Sequence, residues 1–156
     1  MNAGVPSRVA LGAAGGAAAT VPMSLVMVGA KRVGLLRVLP PEEITDEVIS
    51  RAGAEVDEGA SKVLSTISHL GYGAGAGAAY QLLVPARAQG AGSGVAFALA
   101  LYAGSYLGWL PVLGLKPARQ GRSNVETGVM VLAHVVFGAV LGESAARTRR
   151  SLAGQE

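Results

Sequence analysis

The chain has 156 residues, 51% of them apolar but only 4% aromatic, with 23 glycines, no cysteine and a formal net charge of +3. That length suits one compact domain, and the lack of cysteine excludes disulfides, thiolate metal sites and cysteine catalysis. The basic residues gather at the ends of apolar runs, without a stripe of interleaved aromatics, which excludes nucleic-acid binding.

A water-soluble core of this size draws on large side chains, which carry most of the burial energy. Here Gly and Ala dominate and the mean hydropathy is +0.43, the composition of helices packed closely in lipid. Residues 9–30 form the first uncharged segment, with Gly12, Gly16, Thr20 and Ser24 on one helical face. Pro22 predicts a kink that the Thr20 hydroxyl compensates. Arg8 followed by an Ala/Gly-rich stretch resembles a signal peptide, but the apolar run exceeds the usual roughly 7 to 15 residues, so a retained span is expected.

The 31–62 connection holds seven of the ten acidic residues. Within it, Pro40-Pro41-Glu42-Glu43 is a helix start, with acids meeting the positive end of the helix dipole. Ile44, Val48 and Ile49 share a face, predicting a short amphipathic helix to about Ala52, followed by a loop to Gly59.

Segments 63–86 and 88–115 are also uncharged and long enough to span a bilayer, which takes roughly 20 residues. Only Arg87 separates them, predicting antiparallel neighbours. The fourth segment, 127–142, is shorter and spans only if Glu126 and Glu143 reach the headgroups or the bundle interior. Fourfold spacing predicts packing faces at Gly73 and Gly77, at Ala96, Ala100, Gly104 and Gly108, and at Gly138 and Gly142. Lys116 to Asn124 reads as a basic turn, and residues 147–156 as an exposed, frayed basic tail. The loops between spans carry slightly more Lys and Arg than the side of the termini, too small a difference to set an orientation.

The chain repeats itself. His69-x-x-Tyr72-Gly73-Ala74-x-x-Gly77 recurs as His134-x-x-Phe137-Gly138-Ala139-x-x-Gly142, and Gly34-x-Leu36-x-Val38-Leu39 aligns with Gly108-x-Leu110-x-Val112-Leu113. The prediction is an all-α, integral membrane four-helix bundle in one domain, residues 1–156. It is built from two tandem hairpins, about 9–86 and 88–146, related by a pseudo-twofold along the membrane normal, plus the amphipathic helix.

In its Gly-rich first span, its Pro-containing segment ends and its histidines followed by an aromatic residue in the second and fourth spans, the chain resembles the small YagU-like four-span inner-membrane proteins of bacteria. The resemblance implies a multi-pass protein of the bacterial cytoplasmic membrane and supplies no catalytic residues.

His69 and His134, the only histidines, are the first candidates for chemistry, because an intramembrane imidazole needs a partner or a cavity. One use is a proton-sensitive pair; the commoner one is a hydrogen bond across helices, with Thr66, Ser68 and Ser105 available. Glu143 is a candidate gate or an interfacial residue beside the arginines. Two histidines fall short of the usual three or four metal ligands, so no metal or cofactor is expected. Tyr102, Tyr106 and Trp109 share a face suited to packing or an interface. Gly71–Gly77 lacks the Lys-Ser/Thr of a phosphate loop. No catalytic triad or carboxylate pair emerges, so an enzyme is not expected. The leading reading is a structural or accessory membrane component, able to pair with itself or a membrane complex through its glycine faces. The alternative is a small channel or transporter with the histidines near the pathway.

Overall fold

The computed structural model describes residues 4–115 and 123–153, and among them every regular element is helical. Helix α1 runs Val5–Arg32, α2 Pro40–Arg51 and α3 Glu58–Leu83; a short 3₁₀ turn, Ala86–Ala88, leads to α4, Ala91–Gly104. A π turn, Ser105–Trp109, continues into α5, Leu110–Val112, and α6 spans Asn124–Ala153. The basic segment expected to fray is therefore mostly helix, because α6 continues through Arg147, Arg149 and Arg150. Arg149 donates to the carbonyl of Ala86, which holds that end of the helix against the α3–α4 connection. Most of the expected basic turn, 116–122, lies outside the described residues.

Local chemistry explains the boundaries. Helix α2 begins at Pro40, whose missing N–H would be unpaired there in any case, and Glu42 and Glu43 follow in its first turn. Asp57 caps α3 by accepting from the Ala60 N–H at 3.0 Å. Pro22 lies inside an uninterrupted α1. The Thr20 hydroxyl donates to the Gly16 carbonyl at 2.9 Å rather than to the carbonyl freed by the proline.

Two crossings organise the bundle: α1 packs on α3, and α4 packs on α6, with α1 also lying along α6. Each crossing is built from glycine against glycine. A Cβ added at Gly16 would overlap the Gly73 carbonyl oxygen and lie 2.9 Å from the Gly77 nitrogen. One added at Gly94 would overlap the Gly138 carbonyl and lie 2.8 Å from the Gly142 nitrogen. Gly12 meets Gly77 as Gly90 meets Gly142. Backbones this close exchange dispersion contacts along both helices and exclude any side chain between them.

Gly12, Gly16, Gly73, Gly77, Gly138 and Gly142 thus lie at helix crossings, whereas Gly104 and Gly108 do not. A Cβ added at either would meet nothing within 4 Å, and Ala96 and Ala100 are exposed. The packed face of α4 is Gly94 and Ala98, two residues out of register with the expected series and so on the opposite side of the helix. The match of Gly34 to Gly108 also fails in space: Gly34 follows α1 at φ +77°, and Gly108 lies in the π turn.

Helices α1, α4 through α5 (Ala91–Val112) and α6 (Asn124–Ser151) are long and apolar enough to cross a membrane. Helix α3, with 26 residues, is long enough but holds His69, Tyr72, Tyr80, Gln81 and five glycines. Tyr80 and Gln81 are buried and His69 half-buried, whereas Tyr72, Val63, Leu64, Ile67 and Leu82 are exposed. The core is apolar, with Met23, Met27, Tyr80, Met130, Phe137 and Leu141 at its centre, and Thr20, Ser65, Gln81, Ser105 and His134 are buried beside it, while Leu25, Leu107 and Leu132 are exposed.

Candidate functional site

The expected close neighbours α3 and α4 are the pair that stands apart, with few backbone approaches between them. Large side chains bridge the gap. Tyr80, fully buried, packs edge-on against Phe97 at 5.4 Å and shares a 2.8 Å hydrogen bond with Ser93. Nearer the α2 end, the Tyr72 hydroxyl lies 2.7 Å from Ser105 Oγ, and Trp109 Nε1 donates to the same oxygen at 3.2 Å. The Tyr72 and Trp109 rings are 6.2 Å apart. Tyr102 and Tyr106 do stack, at 4.6 Å, but Trp109 turns to Tyr72.

A cavity of about 220 Å³ opens in the space so created. Helices α1, α3 and α6 and the π turn form its walls, and Pro40, Pro41, Ile44 and Thr45 of α2 line it at one end. Pro111 brings no N–H to the helical ladder, and the π turn just ahead of it puts Ser105, Tyr106 and Trp109 on the cavity wall; such turns concentrate at functional sites. Three methionines, Met23, Met27 and Met130, and the Phe137 ring supply a pliable apolar lining. Among the described residues, no carboxylate, lysine or arginine lines the cavity.

Both histidines line this one cavity. His134 donates from Nδ1 to the Met130 carbonyl one turn back on its own helix, at 2.8 Å. A carbonyl only accepts, so the proton of the neutral ring sits on Nδ1 and Nε2 is left as an acceptor. The ring packs 4.6 Å from Tyr102. His69 Nε2 is buried and has no hydrogen-bond partner.

The hydrogen bonds expected to bridge helices from the histidines do not form. Ser105 is engaged by Tyr72 and Trp109, the Thr66 hydroxyl donates to the Lys62 carbonyl on its own helix, and His134 turns to its own backbone. Glu143 lies outside the cavity lining and pairs with Arg147 at 3.1 Å and Arg150 at 2.8 Å. Such solvent-side pairs on one helix contribute little. Among the described residues, no three His, Asp or Glu side chains converge as a metal site would require.

Glu126 has a role that flanking charge alone did not suggest. It is 7% exposed, accepts the Ser123 N–H at 2.8 Å, and lies 3.5 Å from the Arg37 guanidinium. Ser123 Oγ in turn accepts the Glu126 N–H at 3.2 Å, a reciprocal cap on α6. The Ser123-x-x-Glu126 spacing carries that signal in the sequence.

Replacing Tyr72 by Phe should remove the 2.7 Å bond to Ser105 and lower stability by about 1 kcal/mol. Thermal unfolding in detergent, with Trp109 emission as the local reporter, checks this; an unchanged melting point and spectrum would remove Tyr72 from the wall.

No protein-family model, no curated protein and no solved structure matches the chain.

Proposed function

We propose that this chain is a four-span protein of the bacterial cytoplasmic membrane, in which α1, α3, α4 through α5 and α6 form two tandem hairpins around a binding chamber, and that it acts as a small carrier or channel component without catalysis. The observation that carries the reading is the single cavity shared by His69 and His134. Each ring lies about ten residues into its helix, roughly 15 Å at 1.5 Å per residue, near the middle of a hydrocarbon layer about 30 Å thick. An imidazole at that depth is retained where it serves a cavity or a pathway.

The paired glycine contacts support duplication. Gly12 and Gly16 correspond to Gly90 and Gly94, and Gly73 and Gly77 to Gly138 and Gly142. The apolar outward side chains of α3, Val63, Leu64, Ile67 and Leu82, support its placement as a span. The cavity shifts the balance from an accessory component towards binding or transport, because it offers both histidines a single space that a ligand can enter.

The absence of cysteine makes the test direct. Single variants Gly53→Cys and Arg87→Cys in intact cells should react with an impermeant maleimide from opposite sides of the membrane. Reaction of both from one side would place α3 outside the bilayer and end the four-span reading. For the chamber, bromobenzene should quench Trp109, the sole tryptophan, with a saturable component that Ser65→Phe abolishes by filling the cavity. Quenching that only rises linearly in the wild type would refute the chamber.

A further inference from the structure

Resting on the chamber reading, we infer that the cavity selects a neutral, ring-sized molecule carrying a hydroxyl group, which the His134 and His69 imidazoles recognise as a pair.

Size sets the first limit. A dry apolar cavity of about 150 Å³ holds benzene, so about 220 Å³ admits one aromatic ring with substituents. The walls favour such a ring: methionine sulfurs and aromatic faces offer adaptable, polarizable contacts, here from Met23, Met27, Met130, Phe137 and Trp109.

Charge sets the second limit. With no ionic side chain on the wall among the described residues, a charged ligand at bilayer depth would be desolvated without a counter-charge. Carboxylates, phosphates and ammonium groups are therefore rejected.

Hydrogen bonding sets the third. The Met130 carbonyl fixes the His134 proton on Nδ1, so its Nε2 can only accept while the ring is neutral. His69 adds an imidazole whose buried Nε2 has no partner among the described residues. A buried polar group in that state costs about 1–3 kcal/mol and calls for a partner from outside. One hydroxyl answers both rings, donating to His134 Nε2 and accepting the N–H of the His69 imidazole. An ether or ketone can accept from His69 but leaves His134 unsatisfied, and an amine fits only when deprotonated.

Two bromine-bearing probes of nearly equal shape test this on the whole protein in detergent, with Trp109 quenching as the readout. 4-Bromophenol should bind about tenfold more tightly than 4-bromoanisole. The preference should vanish in His134→Phe and persist in part in His134→Gln, which restores an acceptor. Comparing variants in the same micelles cancels probe partitioning, and an unchanged melting point certifies the fold of each variant. Equal affinity of the two probes in the wild type, or a preference surviving in His134→Phe, would overturn the hydroxyl assignment while leaving the chamber intact. Absence of saturable quenching by either probe would remove the chamber itself, and this inference with it.

Discussion

Gly16→Ala and Gly94→Ala should each destabilise the protein by about 3 kcal/mol, the upper part of the range for overpacking a close contact. A methyl group at either site overlaps a backbone carbonyl on the facing helix, Gly73 at the α1–α3 crossing and Gly138 at the α4–α6 crossing. Backbone cannot rotate out of the way as a side-chain tip can, so the helices must separate along the crossing. Gly71 and Gly75 supply the controls, because a Cβ at either meets nothing within 4 Å. There Ala should be neutral or stabilising by about 0.5–1 kcal/mol, through reduced freedom of the unfolded chain. Unfolding by heat or by titrated denaturing detergent, followed by far-UV circular dichroism, measures all four. If Gly16→Ala proves as benign as Gly71→Ala, the close α1–α3 crossing is wrong. A large loss at Gly16 with none at Gly94 would show that the α4–α6 crossing is looser than the α1–α3 crossing.

The same distribution of small and large residues locates the chamber. Glycine draws α1 onto α3 and α4 onto α6, while Tyr72, Tyr80, Phe97 and Trp109 hold α3 away from α4. Packing both seams with glycine would close the bundle; packing both with aromatics would loosen each hairpin.

Much of the helical scaffold was legible because its signals are local. Proline followed by acids marks the start of α2, and the recurrence of Gly73-x-x-x-Gly77 as Gly138-x-x-x-Gly142 marks two real contact faces. The face of α4 was not legible. Two small-residue series run along it, Gly90-Gly94-Ala98 and Ala96-Ala100-Gly104-Gly108, and spacing alone treats them alike. Only the partner helix decides between them. The distance between α3 and α4 was illegible for a related reason: a short connection fixes direction, whereas side-chain bulk along the seam fixes separation. The histidines could be recognised as equivalent, but their convergence on one void depends on that separation. The cap on α6 was readable from Ser123 and Glu126, but the approach of Arg37 from 89 residues away was not.

Glu126→Ala should cost about 2–3 kcal/mol, the second-largest effect expected of a single substitution. Three terms combine: loss of the cap at the start of α6, worth about 1 kcal/mol; loss of an acid from the positive end of the helix dipole; and loss of the carboxylate facing Arg37. Glu126→Gln keeps an acceptor for the Ser123 N–H and should recover about half of the loss. Ser123→Ala should cost about 1 kcal/mol, and less once Glu126 is already Ala, because the two caps are reciprocal. The consequence reaches the chamber. Met130 lies one turn above Glu126 and His134 a turn beyond that, on the same helix. Fraying of the first turn would loosen the carbonyl that fixes the His134 proton. Glu126→Ala should therefore weaken probe quenching of Trp109 at temperatures below its own melting point, while Arg147→Ala, at the far end of α6, should leave it unchanged. Full quenching in a destabilised Glu126→Ala protein would show that the cap supports the fold without ordering the chamber.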